Sequence, residues 1–298
     1  MIQGESKMGI AIFAVTLVTL FARLANGQIL HATADRPSFE VATVKPWRRA
    51  LSPPRSGDGA SAPVKVMKVA PVDAGPAPSG RVHVILPISI LITSAYNLPV
   101  GSESRIIGGP EWLRQDIDQF EIQAKIEDSE YAAMQKMTLP QQRERVALME
   151  QSLLMDRFRL KVHFESREMP VYVLTVAKAG SRLKPAKNDE PSRISTLGNA
   201  KGTEMTAVGV TLEQFVVSPL VTGATGGRPI VDRTGLKGAF DFTLNWTPDQ
   251  LAASPDHPEA DGPSLFAAIR EQLGLSLIGG KAPVEVIVID HIERPTEN

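Results

Sequence analysis

The chain has 298 residues, 43% hydrophobic and 22% charged, which is typical of a globular protein with one large core or two smaller ones. Its 32 lysines and arginines nearly balance 33 aspartates and glutamates, and no long basic run is present. This balance argues against nucleic acid and anionic membranes as partner classes. The chain contains no cysteine, which excludes disulfides, thiolate nucleophiles and cysteine-ligated metals.

Residues 1–27 have the order of a secretory signal peptide. A lysine precedes an apolar stretch at residues 8–22, and a small-x-small cleavage site at residues 25–27 precedes Gln28. The apolar stretch is shorter than the ~20 residues of a membrane-spanning helix, and Arg23 follows it. We therefore expect a periplasmic or secreted protein, cleaved before Gln28 and without a transmembrane segment afterwards. A retained membrane anchor is the alternative.

Two contrasting segments follow the signal. Residues 38–47 contain the first predicted strand, because apolar and polar residues alternate in SFEVATVK, and Pro46 is expected to end it. Residues 48–80 are rich in proline, glycine and alanine. Such a segment buries too little side chain to offset its ordering entropy, and we predict a mobile loop.

The rest of the chain reads as two copies of one pattern. Each copy has a strand, a short helix, a hairpin, a long amphipathic helix and two closing strands. The copies span residues 81–184 and 202–298, with a polar linker at residues 185–201. The sequence therefore predicts an internal duplication and an α+β fold of two tandem modules, each a mixed sheet with two helices packed on one face.

The two copies agree most closely where their long helices end. Arg157-Phe158-Arg159-Leu160 in the first corresponds to Gln272-Leu273-Gly274-Leu275 in the second. After this point a polar turn is expected at residues 165–169 in the first copy and at residues 279–281 in the second, each separating two closing strands.

The predicted hairpins precede the long helices. In the first copy a hairpin would join residues 105–109 to a strand at residues 120–126, and in the second it would join residues 228–232 to a strand at residues 240–246.

Histidines and carboxylates provide the first candidate sites. His163 and Glu165 share one strand face, so they are either two metal ligands or part of a solvent-exposed face, and His291 at a strand end is open to the same two interpretations. A second cluster could bind a divalent cation and consists of Asp256, His257, Glu259 and Asp261. It lacks the spaced ligands and the glycine of a calcium-binding loop.

Three further motifs offer little specific chemistry. Residues 222–227 are glycine-rich but follow a helix and precede a strand, the reverse of the order that presents amides to phosphate. Residues 181–184 match Ser-x-x-Lys without the partner motifs of penicillin-recognising enzymes. Glu165 and Glu168 flank a predicted turn, where carboxylates are usually solvated. No catalytic residue, metal site or cofactor is predicted.

A partner contact is predicted in the first hairpin. Residues 108–116 lengthen it, whereas the second copy has a short turn at residues 232–235. Trp112, flanked by Glu111 and Arg114, is the candidate contact, because aromatic residues in loops often anchor interfaces. In the alternative interpretation Trp112 closes the end of the first core.

Several stretches in order resemble one family: FEVATVKP, YNLP, GGPEWL, FEIQAK, LLMDRFRLKVHFESREMPVYVLTVAK, RPIVDRTGLKGAFDFTLNWTPD, LFAAIREQLGLSL and KAPVEVIVIDHIERPTEN. The resemblance covers residues 38–298 and is to the uncharacterised exported "soil-associated" proteins, found in many copies in soil acidobacteria. It implies an extracytoplasmic location and supplies no catalytic residues. The order of elements is also similar, more faintly, to the short N-terminal module of secretins and TonB-dependent receptors, a periplasmic signalling and docking unit.

The function expected from the sequence is that of an exported, non-catalytic protein that binds an envelope protein or a small ligand. The alternatives are a hydrolase with a site between the two modules and a secreted surface or matrix component.

Overall fold

The computed structural model describes residues 29–32, 36–47, 80–114, 118–187, 192–199, 202–249 and 262–295. The predicted signal peptide and nearly all of the predicted loop at 48–80 lie outside these ranges. The described residues form eleven strands and six α-helices, which confirms the α+β class. None of these helices combines the length and apolarity needed to cross a membrane.

The first half of the chain builds an antiparallel sheet with strand order β1-β4-β2 and places three helices around it. Its elements are β1 (Val41–Trp47), β2 (Arg81–Pro87), α1 (Ile88–Ala95), β3 (Ile106–Gly108), β4 (Gln119–Lys125), α2 (Asp128–Met134), α3 (Leu139–Phe158) and β5 (Lys161–Val176). Two short 3-10 turns lie at Glu103–Arg105 and Glu111–Arg114.

The second half builds a four-stranded antiparallel sheet with order β6-β10-β8-β7. Its elements are β6 (Lys184–Pro185), β7 (Arg193–Asn199), β8 (Gly202–Thr211), α4 (Leu212–Val216), α5 (Pro219–Ala224), β9 (Ile230–Asp232), β10 (Ala239–Trp246), α6 (Leu265–Leu273) and β11 (Leu275–His291). The predicted linker at 185–201 therefore contributes a strand, β7, to this sheet.

A third sheet is shared by the two halves, with strand order β3-β11-β5-β9. The long strands β5 and β11 pair antiparallel, from Leu275 opposite Val176 to His291 opposite Lys161. Strand β3 of the first half pairs parallel with β11, and β9 of the second half pairs parallel with β5. The mixed sheet is therefore single and common to both halves, rather than one in each module.

The strand pairing in this shared sheet shows that the predicted hairpins and polar turns were wrong. Strands β3 and β9 do not form hairpins with β4 and β10, because each crosses to the long strand of the other half. Residues 165–169 and 279–281 are not turns but lie inside β5 and β11. The pairing of β5 with β11 satisfies the backbone groups there, so polar residues and glycines are tolerated on the exposed parts of the strands.

Strand β1 lies within the predicted segment 38–47, but it continues through Pro46, which was expected to end it, to Trp47. It lies at a sheet edge, and the carbonyl of Ala42 points away from β4 to accept a hydrogen bond from Arg157 Nη2 at 2.9 Å. Alternate residues of an antiparallel strand point the same way, so the missing N–H of Pro46 also falls on the free edge.

The two halves have separate main cores that the long strands connect. The first core lies under α1 and α3 and includes Ile92, Ile122, Leu154, Phe158 and Ile287. The second lies under α4 and α6 and includes Leu174, Phe215, Leu244, Ile269 and Leu275. Strands β5 and β11 thus place apolar residues in both cores.

The helix ends that frame the candidate site follow from local sequence. Helix α3 begins at a capping box in which Thr138 N donates to Gln141 Oε1 at 2.9 Å. Helix α4 begins after the cap residue Thr211, whose Oγ1 accepts from Gln214 N at 3.2 Å. Helices α3 and α6 both end in a left-handed residue, Arg159 (φ 54°) and Gly274 (φ 66°).

Candidate functional site: an arginine cleft at the end of α3

The histidines predicted as possible ligands lie on the surface and pair with single carboxylates. His163 Nδ1 lies 2.8 Å from Asp290 Oδ1, whereas Glu165 is paired with Arg167. His291 Nε2 lies 2.8 Å from Glu293 Oε1. Within the described ranges no group of three or more metal-ligating side chains comes together. The cluster around His257 falls outside those ranges.

The other predicted motifs serve local structure. Ser181 Oγ accepts a hydrogen bond from Leu183 N at 3.2 Å, which closes a turn, and Lys184 begins β6. The glycine-rich run 222–227 ends α5 and precedes β9, in the predicted order.

Trp112, the predicted partner contact, lies in a 3-10 turn rather than a hairpin. Its half-buried ring packs on the first core, with its centroid 6.2 Å from that of Phe120. The Arg294 guanidinium lies over the ring, 5.4 Å from its centroid. Glu111 in the same turn is exposed, and the side chain of Arg114 lies outside the described part of the chain. The structure thus places Trp112 beneath an arginine that borders a cleft.

This cleft, which we call the arginine cleft, lies where α3 ends and the chain leaves β11. Its volume is about 340 Å³. Three guanidiniums and two carboxylates line it, together with one valine and one proline: Val44, Asp156, Arg157, Arg159, Glu293, Arg294 and Pro295. The lining therefore has one more positive charge than negative.

The three arginines differ in whether their guanidinium groups already make hydrogen bonds or ion pairs within the protein. Arg157 Nη2 donates to the carbonyl of Ala42, and Arg294 Nη2 donates to Asp118 Oδ2 at 2.6 Å. Arg159 is exposed, and its guanidinium makes no hydrogen bond or ion pair with any residue that the structure describes. Arg159 is thus the cation in the cleft that is most available to a ligand.

Arg159 is also conformationally unusual. Its φ of 54° is left-handed, a conformation that costs a residue with a side chain roughly 1–2 kcal/mol and that helix ends usually assign to glycine. At the corresponding end of α6 the residue is Gly274. A Cβ at Gly274 would lie 2.1 Å from the carbonyl oxygen of Gly180, so no side chain fits there.

The junction between the halves, where a hydrolase site was the predicted alternative, is tightly packed. Arg105, 2% exposed, donates from Nε to the carbonyl of Glu285 at 3.0 Å. Desolvation by burial lowers the pKa of Arg105 to about 10, against the opposing effect of the Glu285 carboxylate. The space beside it is about 20 Å³, room for about one water. A Cβ at Gly227 would lie 1.6 Å from Gly101 O.

Sequence analysis did not identify Arg157, Arg159 and Arg294 as site residues. One signal was present, because the aligned helix ends place Arg159 opposite Gly274. An arginine in the left-handed position at a helix end, where glycine is usual, is a feature worth testing for a role in binding. The contribution of Arg294 had no such signal, since it comes from a segment 135 residues further along the chain (294 − 159).

Comparisons with known proteins identify the family but not an activity. A search of curated proteins and a search of solved structures each gave no match. The model of one family, described as "Protein of unknown function (DUF3738)", matches residues 89–292. The match begins in α1 and extends just past β11, so it includes both halves and the left-handed Arg159. Because it covers more than half of the chain, this protein belongs to that family.

Proposed function

We propose that this chain is an exported, non-catalytic binding protein and that the arginine cleft is its ligand site. The observation that carries the proposal is Arg159. An exposed arginine occupies a left-handed position at a cost in stability, and its charge faces a concave surface. Backbone conformations of this kind are concentrated at functional sites.

Trp112 gives the proposal a second point of support. The Arg294 guanidinium lies over the aromatic ring and also donates a hydrogen bond to Asp118 Oδ2. A guanidinium fixed in this way loses little freedom when it binds a ligand, which favours affinity. The predicted role of Trp112 in partner contact therefore becomes, in this proposal, support for a cleft residue.

Export is the part of the proposal that rests on residues 1–27. The residues after the expected cleavage point are docked on the first half: Ile29 is 4% exposed, and Leu30 N donates to Tyr96 O at 3.0 Å. Gln151 Nε2 donates to Leu30 O at 2.8 Å. Cleavage before Gln28 would leave these contacts intact. Amino-terminal sequencing of the exported protein tests this, and an intact residue 1–27 segment would contradict it.

The binding proposal is tested with the chain starting at Gln28 and its Arg159→Gly variant. Both are screened for thermal stabilisation by small anions, since a ligand at about 100 times its Kd stabilises by about 2.7 kcal/mol. We expect at least one anion to raise the Tm of the parent chain and not that of the variant. Equal effects on both chains, or turnover of ester, amide or phosphoester substrates by the parent chain, would contradict the proposal.

A further inference from the structure

We infer that the arginine cleft selects a ligand with a single carboxylate charge over one with a dianionic phosphate; this inference rests on the proposed binding function. The first reason is the charge of the lining. Arg294 is already paired with Asp118, whereas Arg159 makes no hydrogen bond or ion pair with any described residue. One carboxylate is enough to neutralise Arg159.

The second reason is the direction of the helix dipole. The arginine cleft lies at the C-terminal end of α3, where the partial charge of the helix is negative. Phosphate groups are commonly bound at the opposite end, where free N–H groups point at the ligand. A second negative charge in this cleft would therefore face the helix end and both wall carboxylates.

The available donors suit a carboxylate and a phosphate alike. A guanidinium offers two parallel N–H groups that match two oxygens of either group, so the charge of the lining and the helix dipole decide between them. Arg159 has no described partner, and Arg157 has one N–H group engaged by Ala42 O. Arg159 can thus present its fork to the ligand, with Arg157 beside it.

The size of the cleft limits the ligand further. A volume of about 340 Å³ lies at the low end of the ~300–1,000 Å³ range of ligand pockets. It suits a small carboxylic acid or one acidic side chain of a protein partner. Both present the same group, and the cleft lining also contains the Asp156 carboxylate, which as an anion only accepts hydrogen bonds.

The test compares three probes at equal ionic strength by isothermal titration at about pH 8, where a phosphate monoester is dianionic. The probes are N-acetylglycine, a short peptide with one glutamate and blocked ends, and glycerol phosphate. We expect one of the two carboxylates to bind at least about tenfold more tightly than glycerol phosphate. The tighter carboxylate identifies a free acid or a protein side chain as the source.

Two variants locate the binding. Arg159→Gly should weaken carboxylate binding by about tenfold to hundredfold, because a charge-assisted hydrogen bond is lost. Arg182→Ala is the matched control and should change binding less than about twofold, because Arg182 lies at the corresponding end of α6 and donates to Glu271 O there.

Three results would overturn the inference: equal or tighter binding of glycerol phosphate, no binding of either carboxylate, or no effect of Arg159→Gly. Tight phosphate binding that Arg159→Gly abolishes would leave the proposed binding site standing and reject only the carboxylate preference.

Discussion

At the C-terminal ends of α3 and α6, a later segment of the chain folds back and donates a hydrogen bond to the helix. The two ends differ in packing, because the end of α6 is closely packed and the end of α3 borders a cleft. At α6, the segment after β5 folds back so that Arg182 N donates to Leu273 O at 2.9 Å, and the Gly180 backbone presses against Gly274. At α3, the segment after β11 folds back so that Glu293 N donates to Phe158 O at 2.7 Å, yet the arginine cleft stays open. The fold therefore requires neither the cleft nor a side chain at the left-handed position.

The middles of the two helices differ in a related way. At the offset of 115 residues that relates the helix ends (274 − 159), Glu150 and Gln151 of α3 correspond to Leu265 and Phe266 of α6. Glu150 Oε2 and Gln151 Oε1 are buried and have no hydrogen-bond partner within the described part of the chain. The first half thus carries buried polar groups where the second has apolar side chains.

The largest effect is expected at Gly274. Gly274→Ala should lower the free energy of unfolding by about 3 kcal/mol or more, because the new Cβ would overlap the Gly180 carbonyl and the position is left-handed. Chemical denaturation measures this. The matched change Arg159→Ala should have little effect, since a side chain is already accommodated there. Similar losses at both positions would mean that the two helix ends do not differ as described.

The next largest effect is a pH dependence of the free energy of unfolding, caused by Glu150. Burial of its carboxyl raises its pKa from 4.5 to about 7, opposed by a hydrogen bond with Ser94. The folded chain therefore binds more protons than the unfolded chain between these values, and stability falls as pH rises from 4.5 to about 7. The fall should be on the order of 3 kcal/mol.

Denaturation at several pH values measures this contribution, and Glu150→Gln should abolish it. Glu144→Gln, an exposed position on the same helix, should leave the pH slope unchanged. An unaltered slope in Glu150→Gln would show that the carboxyl is not held in the neutral form.

A smaller effect is expected at Trp112. Trp112→Ala should cost about 2 kcal/mol, less than full burial would give, because the ring is half-buried between Phe120 and Arg294. It should also weaken ligand binding, since Arg294 loses its support. Trp246→Ala in the second core is the control and should cost about 3–5 kcal/mol without any effect on binding by the folded fraction. Unchanged binding in Trp112→Ala would limit its role to packing.

Much of the fold could be predicted from the sequence, but the strand pairing could not. Apolar periodicity predicted the two long helices α3 and α6, because this signal is local. The partners of β3 and β9 are not encoded locally, since a three-residue strand with two apolar residues fits the edge of any sheet. The run through residues 165–169 looked like a turn because it is polar, whereas its pairing with β11 keeps it extended.

The candidate site was predicted only in part, for the same reason. Trp112 was identified as unusual for its position, and the structure places it under Arg294. The cleft itself joins residues from β1, the end of α3 and the segment after β11, which are far apart in the chain. Only the difference between Arg159 and Gly274 at the two helix ends was visible in the sequence.

The central claim is that Arg159 is kept for binding at a cost in stability, and one paired measurement on Arg159→Gly tests it most directly. We expect the variant to be about 0.4–1 kcal/mol more stable to urea than the parent chain, because glycine relieves the left-handed strain. Anion binding, titrated on the same preparations, should be lost. A variant that is less stable, or that binds anions as the parent chain does, would contradict the claim.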